Sequence, residues 1–203
     1  SPGSIYHLTK AQDELLFQFY NKMHNLKITD LHQGVVWGTN TKETLLHKDL
    51  CNRYDYDGDY GTVLNRFIMQ AAMNFPLTIH GRGTQVRPFI NINNTADCIS
   101  LAAESNKKFK GVNIYNQLTE THKLIDLAKK IQKLTNCKIT HHKNPRIEKE
   151  NNTLIAKPIG LINLGLKPIY LSDELIRSEI EIAEKFSYRA DKKRIIAKTQ
   201  WKI

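Results

Sequence analysis

Between Ile5 and Gly38 the apolar residues change rhythm once, and that change leaves few folds open. Ile5, Leu8, Leu15, Leu16, Phe19 and Met23 form the apolar stripe of a helix, with Ser4 placed as its N-cap and Asn25 and Lys27 marking its end. The next stretch, Leu26 to Gly38, reads as a strand that dissolves into a loop bounded by Gly34 and Gly38. A helix followed by a buried strand is the repeating unit of a parallel α/β sheet. Ligands bind such sheets at the carboxyl ends of the strands, which here places His32, Gln33 and Gly34.

The same punctuation continues along the chain. Thr39 to Gly61 is polar and carries the acidic run Asp55-Tyr56-Asp57-Gly58-Asp59, which lacks the ligand spacing and closing glutamate of a calcium loop and reads as a substrate loop. A helix is expected over Thr62 to Asn74, a short strand over Pro76 to His80, a hairpin-like turn at Gly81 to Gln85 and a second strand over Arg87 to Ile92. Asn94 is expected to cap a helix from Thr95 to Ser105, and Val112 to Asn116 reads as a strand. A long helix is expected over Thr119 to Leu134, with an imperfect capping box, and a strand over Lys138 to His141. A loop around Asn144-Pro145-Arg146, a short helix from Ala156 to Leu164 closed by Gly165, and a helix from Glu174 to Tyr188 capped by the run Leu171-Ser172-Asp173 complete the reading.

Composition narrows the function. With 203 residues, 40% of them hydrophobic, the chain can bury one core, or one core and a small companion layer. No apolar run is long enough to span a bilayer. Cys51, Cys98 and Cys137 are few and odd in number, which points to a reducing compartment, and neither they nor the adjacent His141-His142 have metal-ligand spacing. A formal charge of +10 raises the question of nucleic acid, but the lysines are scattered with no basic block interleaved with aromatics, which fits a solvated surface better. No strand leads into a glycine-rich G-x-x-G-x-x-G turn, and the chain opens with Ser rather than Met, so it is expected to begin partway into a longer product.

One pair stands out chemically. Tyr6 and Lys10 lie one turn apart on the first helix, so an ammonium can stabilise a phenolate. Tyrosine ordinarily ionises near about pH 10, and a nearby positive charge brings it towards use as a general base at neutral pH. Spacing alone fits a solvated face better than a catalytic pair.

Tyr6-x-x-x-Lys10, Pro76-Leu77-Thr78-Ile79-His80-Gly81, Gly83-Thr84-Gln85-Val86-Arg87, Asn116 and Arg146 together resemble the second half of the extended short-chain dehydrogenase/reductases that remodel nucleotide sugars. Within that group, Asp30-Leu31-His32-Gln33-Gly34-Val35-Val36-Trp37-Gly38, Asn52-Arg53-Tyr54-Asp55-Tyr56-Asp57, Gly61-Thr62-Val63-Leu64-Asn65-Arg66-Phe67 and Tyr170-Leu171-Ser172-Asp173 are similar to the UDP-sulfoquinovose synthases. The resemblance implies an α/β fold: the C-terminal part of a Rossmann-type parallel sheet, expected over 1–38 and 90–118, plus a small α/β nucleotide-sugar-binding lobe over 39–89 and 119–203.

It also implies a reaction. Tyr6 would take the proton of the sugar 4-hydroxyl while hydride passes to NAD, and Lys10 would lower the tyrosine pKa and hold the nicotinamide ribose. The 4-ketone would acidify the C5 hydrogen, water would leave across C5 and C6, sulfite would add at C6, and hydride would return to C4. His7 would lie by the sulfite or C6, unless it points away from Tyr6 as helix neighbours do. Gln33 would meet the nicotinamide, while Leu77, Thr78 and Ile79 would pair with uracil. Arg87 and Arg146 would clamp the pyrophosphate, for which a guanidinium is chemically suited. Thr62, Arg53 and Arg66 would be substrate contacts, or ion-pair and cap residues. The implied partners are UDP-glucose and sulfite, with a homodimer through the Tyr6 helix and no nucleic acid, in cytoplasm or plastid stroma. Another NAD-dependent epimerase or dehydratase is the alternative, and a basic nucleic-acid-binding module a further one. His32 and Asn94 depart from the family pattern, where asparagine and aspartate are usual. The expected missing half would carry the dinucleotide cradle, so the chain by itself is not expected to turn over.

Overall fold

A computed structural model describes residues 4–50, 52–105, 110–144 and 153–196. Helix α1, Ile5–His24, begins where Ser4 accepts a hydrogen bond from the His7 amide and ends at Asn25, which takes the left-handed conformation. Strand β1, Ile28–Gln33, and strand β2, Val35–Trp37, follow with only Gly34 between them. A side chain at Gly34 would meet the Pro88 carbonyl oxygen at 3.0 Å, so glycine is what lets the two strands pass this close to Pro88. A polar segment then leads to helix α2, Val63–Ala72. Strand β3, Leu77–His80, strand β4, Val86–Asn91, helix α3, Ile92–Ser105, and strand β5, Val112–Gln117, come next. Strand β6, Glu120–Lys123, helix α4, Leu124–Thr135, strand β7, Ile139–His142, and helices α5, Ile159–Asn163, and α6, Asp173–Phe186, complete the order.

The strands pair mostly in parallel, as an alternating helix and strand order demands. β1 runs parallel to β5 from Ile28 opposite Val112 to Gln33 opposite Gln117. β2 runs parallel to β4, whose other edge pairs antiparallel with β6. β3 runs parallel to β7. One core joins α2, α4 and α6 to β3, with Leu64, Phe67, Leu77, Leu127, Ile131 and Ile176 sealed from solvent. A smaller one gathers Ile90, Cys98, Leu161 and Leu166 between α3, β4 and the α5 region. None of the α1 side chains is buried, and Ile5, Leu15, Leu16, Phe19 and Met23 stand exposed.

Several expectations are corrected. Glu120–Lys123 is a strand and not the first turn of a helix, because it hydrogen-bonds antiparallel to Val86–Phe89, and α4 starts only at Leu124. Asn94 lies inside α3 and caps nothing; Asn91 does the capping, its Oδ1 accepting from the Asn93 amide. Asn94 is instead buried, donating to the Lys167 carbonyl at 3.0 Å and accepting from the Ile169 amide at 2.6 Å. Gly81 and Gly83 do turn with positive φ, but the flanking strands belong to different sheets, so no hairpin forms. The helix expected over Ala156 to Leu164 is confined to Ile159–Asn163. Among the described residues, no helix is long and apolar enough to cross a membrane.

Candidate functional site

Two concavities gather the residues that the sequence singles out. The first is a cleft of ≈ 480 Å³ between α1 and the end of β1, lined by Tyr6, Lys10, Asp13, Glu14, His32 and Gln33 among others. α1 presents Tyr6 and Lys10 from successive turns, and the Lys10 Nζ stands 5.9 Å from the centre of the Tyr6 ring. The ammonium also pairs with Asp13 at 3.3 Å. Gln33 closes β1 and faces solvent, where a parallel strand offers its carboxyl end to a ligand. His7 packs edge-on against Tyr6, ring centres 5.6 Å apart, and its Nδ1 meets the Ser4 hydroxyl at 2.9 Å.

The second is a cavity of ≈ 250 Å³ whose wall includes Thr62, Arg66, Thr78, Ile79, His80 and Arg87. Thr62 and Arg66 come from the start of α2, where a four-residue spacing keeps both on one face. Thr78 and Ile79 come from β3, while Leu77, in the same strand, is fully buried in the core. Thr78 is fixed by Gln70, which donates to its hydroxyl at 2.7 Å and accepts from its amide at 3.0 Å. Arg87 comes from β4, its Nη1 donating to the Val86 carbonyl at 3.0 Å. Two guanidinium groups on one small cavity suit an anion with paired oxygens.

Arg53 is not on this wall. It pairs with Asp55, stacks 5.5 Å from the Tyr60 ring centre and borders other cavities. Arg146 lies outside the described residues. Sequence reasoning passed over His80, Gln85 and Asn144 as site residues, yet all three line the second cavity. Gln85 had a usable signal, since it stands two residues before Arg87 and period two in an extended chain puts both on one side.

The acidic loop beside this cavity is electrostatically ordered. Burial pushes the Asp57 carboxyl up, but the amides of Tyr60 and Asp59, with Arg53 nearby, outweigh it and hold the group below its ordinary range. Asp57 Oδ1 accepts from both amides at 2.7 and 2.8 Å, which shapes the turn that brings Gly58, Asp59 and Gly61 to the cavity.

The chain thus combines an α/β fold with parallel strands, a Tyr–Lys pair beside a strand end and a cavity with two arginines. Residues 1–116 match the model of the NAD dependent epimerase/dehydratase family, and the chain belongs to that family. It is 41% identical to the chloroplastic UDP-sulfoquinovose synthase of Spinacia oleracea, over 98% of this chain and 42% of the relative. It is 30% identical to the UDP-sulfoquinovose synthase of Sulfolobus acidocaldarius, over 98% of this chain and 52% of the relative. The chain therefore spans about half the length of the curated relatives it matches. Its fold is similar to that of UDP-glucuronic acid 4-epimerase from Bacillus cereus, solved with UDP-glucuronic acid and NAD, with a TM-score of 0.72, 23% identity, and 92% of this chain and 54% of that one covered.

Proposed function

We propose that the chain carries the Tyr–Lys pair and the substrate cavity of an NAD-dependent enzyme that makes UDP-sulfoquinovose from UDP-glucose and sulfite. The observation that carries this reading is the convergence of Thr62, Arg66, Thr78, Ile79 and Arg87 on one cavity, beside a cleft shared by Tyr6, Lys10 and Gln33. In this reading residues 1–38 and 90–118 serve the dinucleotide side, and 39–89 and 119–203 form the substrate lobe. The sealed core of α2, α4 and α6 supports that division, because it is built almost wholly from the second group.

The residues present fit the nicotinamide end of NAD: a phenol, an ammonium and an amide share one open cleft at a strand terminus. When bound, NAD would take hydride from C4 of the sugar and return it. Tyr6 removes the proton of the 4-hydroxyl, and Lys10, its ammonium 5.9 Å from the Tyr6 ring centre, holds the ribose. Arg87 and Arg146 bind the pyrophosphate, and Arg66, which lines the same cavity as Arg87, is a further substrate contact that helps fix the sugar relative to Tyr6. The 4-ketone that results makes the C5 proton labile, so water leaves across C5 and C6 and sulfite adds at C6. The exposed apolar side of α1 supports pairing with a second copy through the Tyr6 helix. The cysteine usage supports a reducing compartment, cytoplasm or plastid stroma.

Two measurements test the reading. UDP should bind the chain itself, and Arg87→Ala should weaken that binding by about tenfold or more, the loss of a charged hydrogen-bonding pair. The chain, joined to the part of the spinach relative that it does not match, should form a sulfur-containing UDP-sugar from UDP-glucose and sulfite, and Tyr6→Phe should abolish this while leaving UDP affinity unchanged. Equal turnover in Tyr6→Phe refutes the catalytic pair. A converted UDP-sugar without sulfur would reassign the chain to an epimerase or dehydratase reaction, the reading favoured by its likeness in fold to the Bacillus cereus epimerase.

A further inference from the structure

In the first cleft, which Tyr6 and Lys10 also line, three side chains from two elements point at one spot. Asp30 and His32 are two residues apart in β1, so the strand period puts both on the face that meets α1. Glu14 reaches them from α1. The His32 Nε2 lies 3.2 Å from Asp30 Oδ2 and 3.3 Å from Glu14 Oε1, and the three ligand atoms all fall within 4.8 Å of one another.

Hydrogen bonding alone serves this cluster poorly. A single Nε2–H can point well at one oxygen only, and two carboxylates converge on it. Two carboxylates held this close to each other also repel. A divalent cation among the three would relieve both problems. Bonds of about 2.1 Å to nitrogen and oxygen give a tetrahedral ligand–ligand edge of about 3.4 Å, close to the two nitrogen–oxygen spacings found here. The mixed donor set, one imidazole and two carboxylates, is of the borderline kind that suits a first-row transition ion better than calcium or magnesium. Asp30 is the most shielded of the three, its side chain 17% exposed, whereas Glu14 at 53% leaves an open side for solvent or a further ligand.

We propose that Glu14, Asp30 and His32 form a site for a divalent transition-metal ion, Zn²⁺ being the probe of choice, that ties α1 to β1 beside the Tyr6–Lys10 cleft. The tie has a physical purpose. α1 buries none of its side chains, so its position against the sheet rests on few contacts, and ligation at three points would fix the helix that carries Tyr6. The proposal stands independently of the substrate and the reaction.

The test uses the whole chain, freed of metal with a chelator, titrated with Zn²⁺ by calorimetry and with Co²⁺ by visible absorption. The expected result is one ion per chain, with Co²⁺ bands of a nitrogen- and oxygen-ligated site, and a thermal midpoint that rises with Zn²⁺ concentration as ligand linkage requires. Glu14→Gln and His32→Asn should each weaken Zn²⁺ binding by more than about tenfold, since even the loss of groups that merely support metal ligands costs that much. Glu14 is exposed on a helix surface, so Glu14→Gln should leave the fold intact where a change at Asp30 could disturb it. Zn²⁺ binding of undiminished affinity in both variants would place any site elsewhere, for example among His80, His141 and His142, and overturn the proposal. So would the absence of heat and of Co²⁺ absorption at millimolar metal.

Discussion

Glu179 offers a sharp test of how the loop after β2 is held. It is 8% exposed on α6, and its carboxylate takes two hydrogen bonds from Thr39, one from the amide at 3.1 Å and one from the hydroxyl at 3.0 Å. Thr39 is itself buried and follows Trp37 and Gly38 out of β2, and its carbonyl accepts from Asn52 at 2.9 Å. Glu179 therefore anchors the start of the polar segment that runs on to the arginine-lined cavity. Glu179→Ala strands two buried donors, each at a cost of about 1–3 kcal/mol, so a loss of about 2–6 kcal/mol is expected. Glu179→Gln keeps an acceptor for the amide and lets the threonine hydroxyl rotate to accept from the new NH₂, so its cost at low pH should be about 1 kcal/mol or less.

The pH dependence separates this account from simple packing. Burial pushes the Glu179 carboxyl above its usual value, and the Thr39 hydrogen bonds only partly pull it back. A carboxyl whose folded pKa is raised gives its full stabilisation below the unfolded pKa and loses it as pH rises through the folded one. Wild type should thus lose stability relative to Glu179→Gln between about pH 4 and the folded pKa, then run parallel to it. All other titrating groups are shared, so they cancel to first order in the difference. Urea unfolding of both proteins at pH 4, 5, 6, 7 and 8 gives that difference directly. A gap that stays constant, or that moves in favour of wild type as pH rises, would refute the burial argument.

Two further perturbations are simple to read. At Gly83, φ is +73° and an added Cβ would sit 2.8 Å from Ile79 Cγ2 and 3.2 Å from the Ile125 amide nitrogen, so Gly83→Ala should cost about 2–4 kcal/mol in urea unfolding and weaken UDP binding by displacing Ile79. Gly111, with φ of +91° and nothing within 4 Å of the added Cβ, is the control, and Gly111→Ala should cost only about 1–2 kcal/mol with UDP affinity unchanged. Burial pushes the Cys98 thiol up to about 11, so iodoacetamide at pH 8 should modify Cys98 far more slowly than the half-buried Cys137, as peptide mass spectrometry would show.

Local signals carried the reading of the chain where a residue's partner lies nearby in sequence. The starts of α1 and α6 were legible because Ser4, and Ser172 within the run Leu171-Ser172-Asp173, accept from amides three residues on. Glu120–Lys123 was not, because Glu-Thr-His-Lys has no apolar alternation and becomes a strand only by pairing with β4. Asn94 was misread for the same reason, since its partners Lys167 and Ile169 are remote in sequence. At the cavity, Arg53 and Arg66 read alike in the sequence, and the structure parts them: Arg66 lies with Thr62 on one face of α2, whereas Arg53 is claimed by its neighbour Asp55. No spacing rule could have joined Glu14 to Asp30 and His32, because that contact is made by packing α1 onto β1.

The two concavities also rest on different foundations. The arginine-lined cavity is framed by α2, β3 and β4, whose inner residues Leu64, Phe67, Leu77 and Phe89 are sealed in the larger core, so its shape is set by dense packing. The Tyr6–Lys10 cleft is framed by the end of β1 and by a helix that buries nothing. The two concavities are thus supported by separate sets of contacts: a change in the seating of α1 acts on the placement of Tyr6 and leaves the arginine cavity as the packed core holds it. Perturbing the core should change affinity first, and perturbing the seating of α1 should change turnover first.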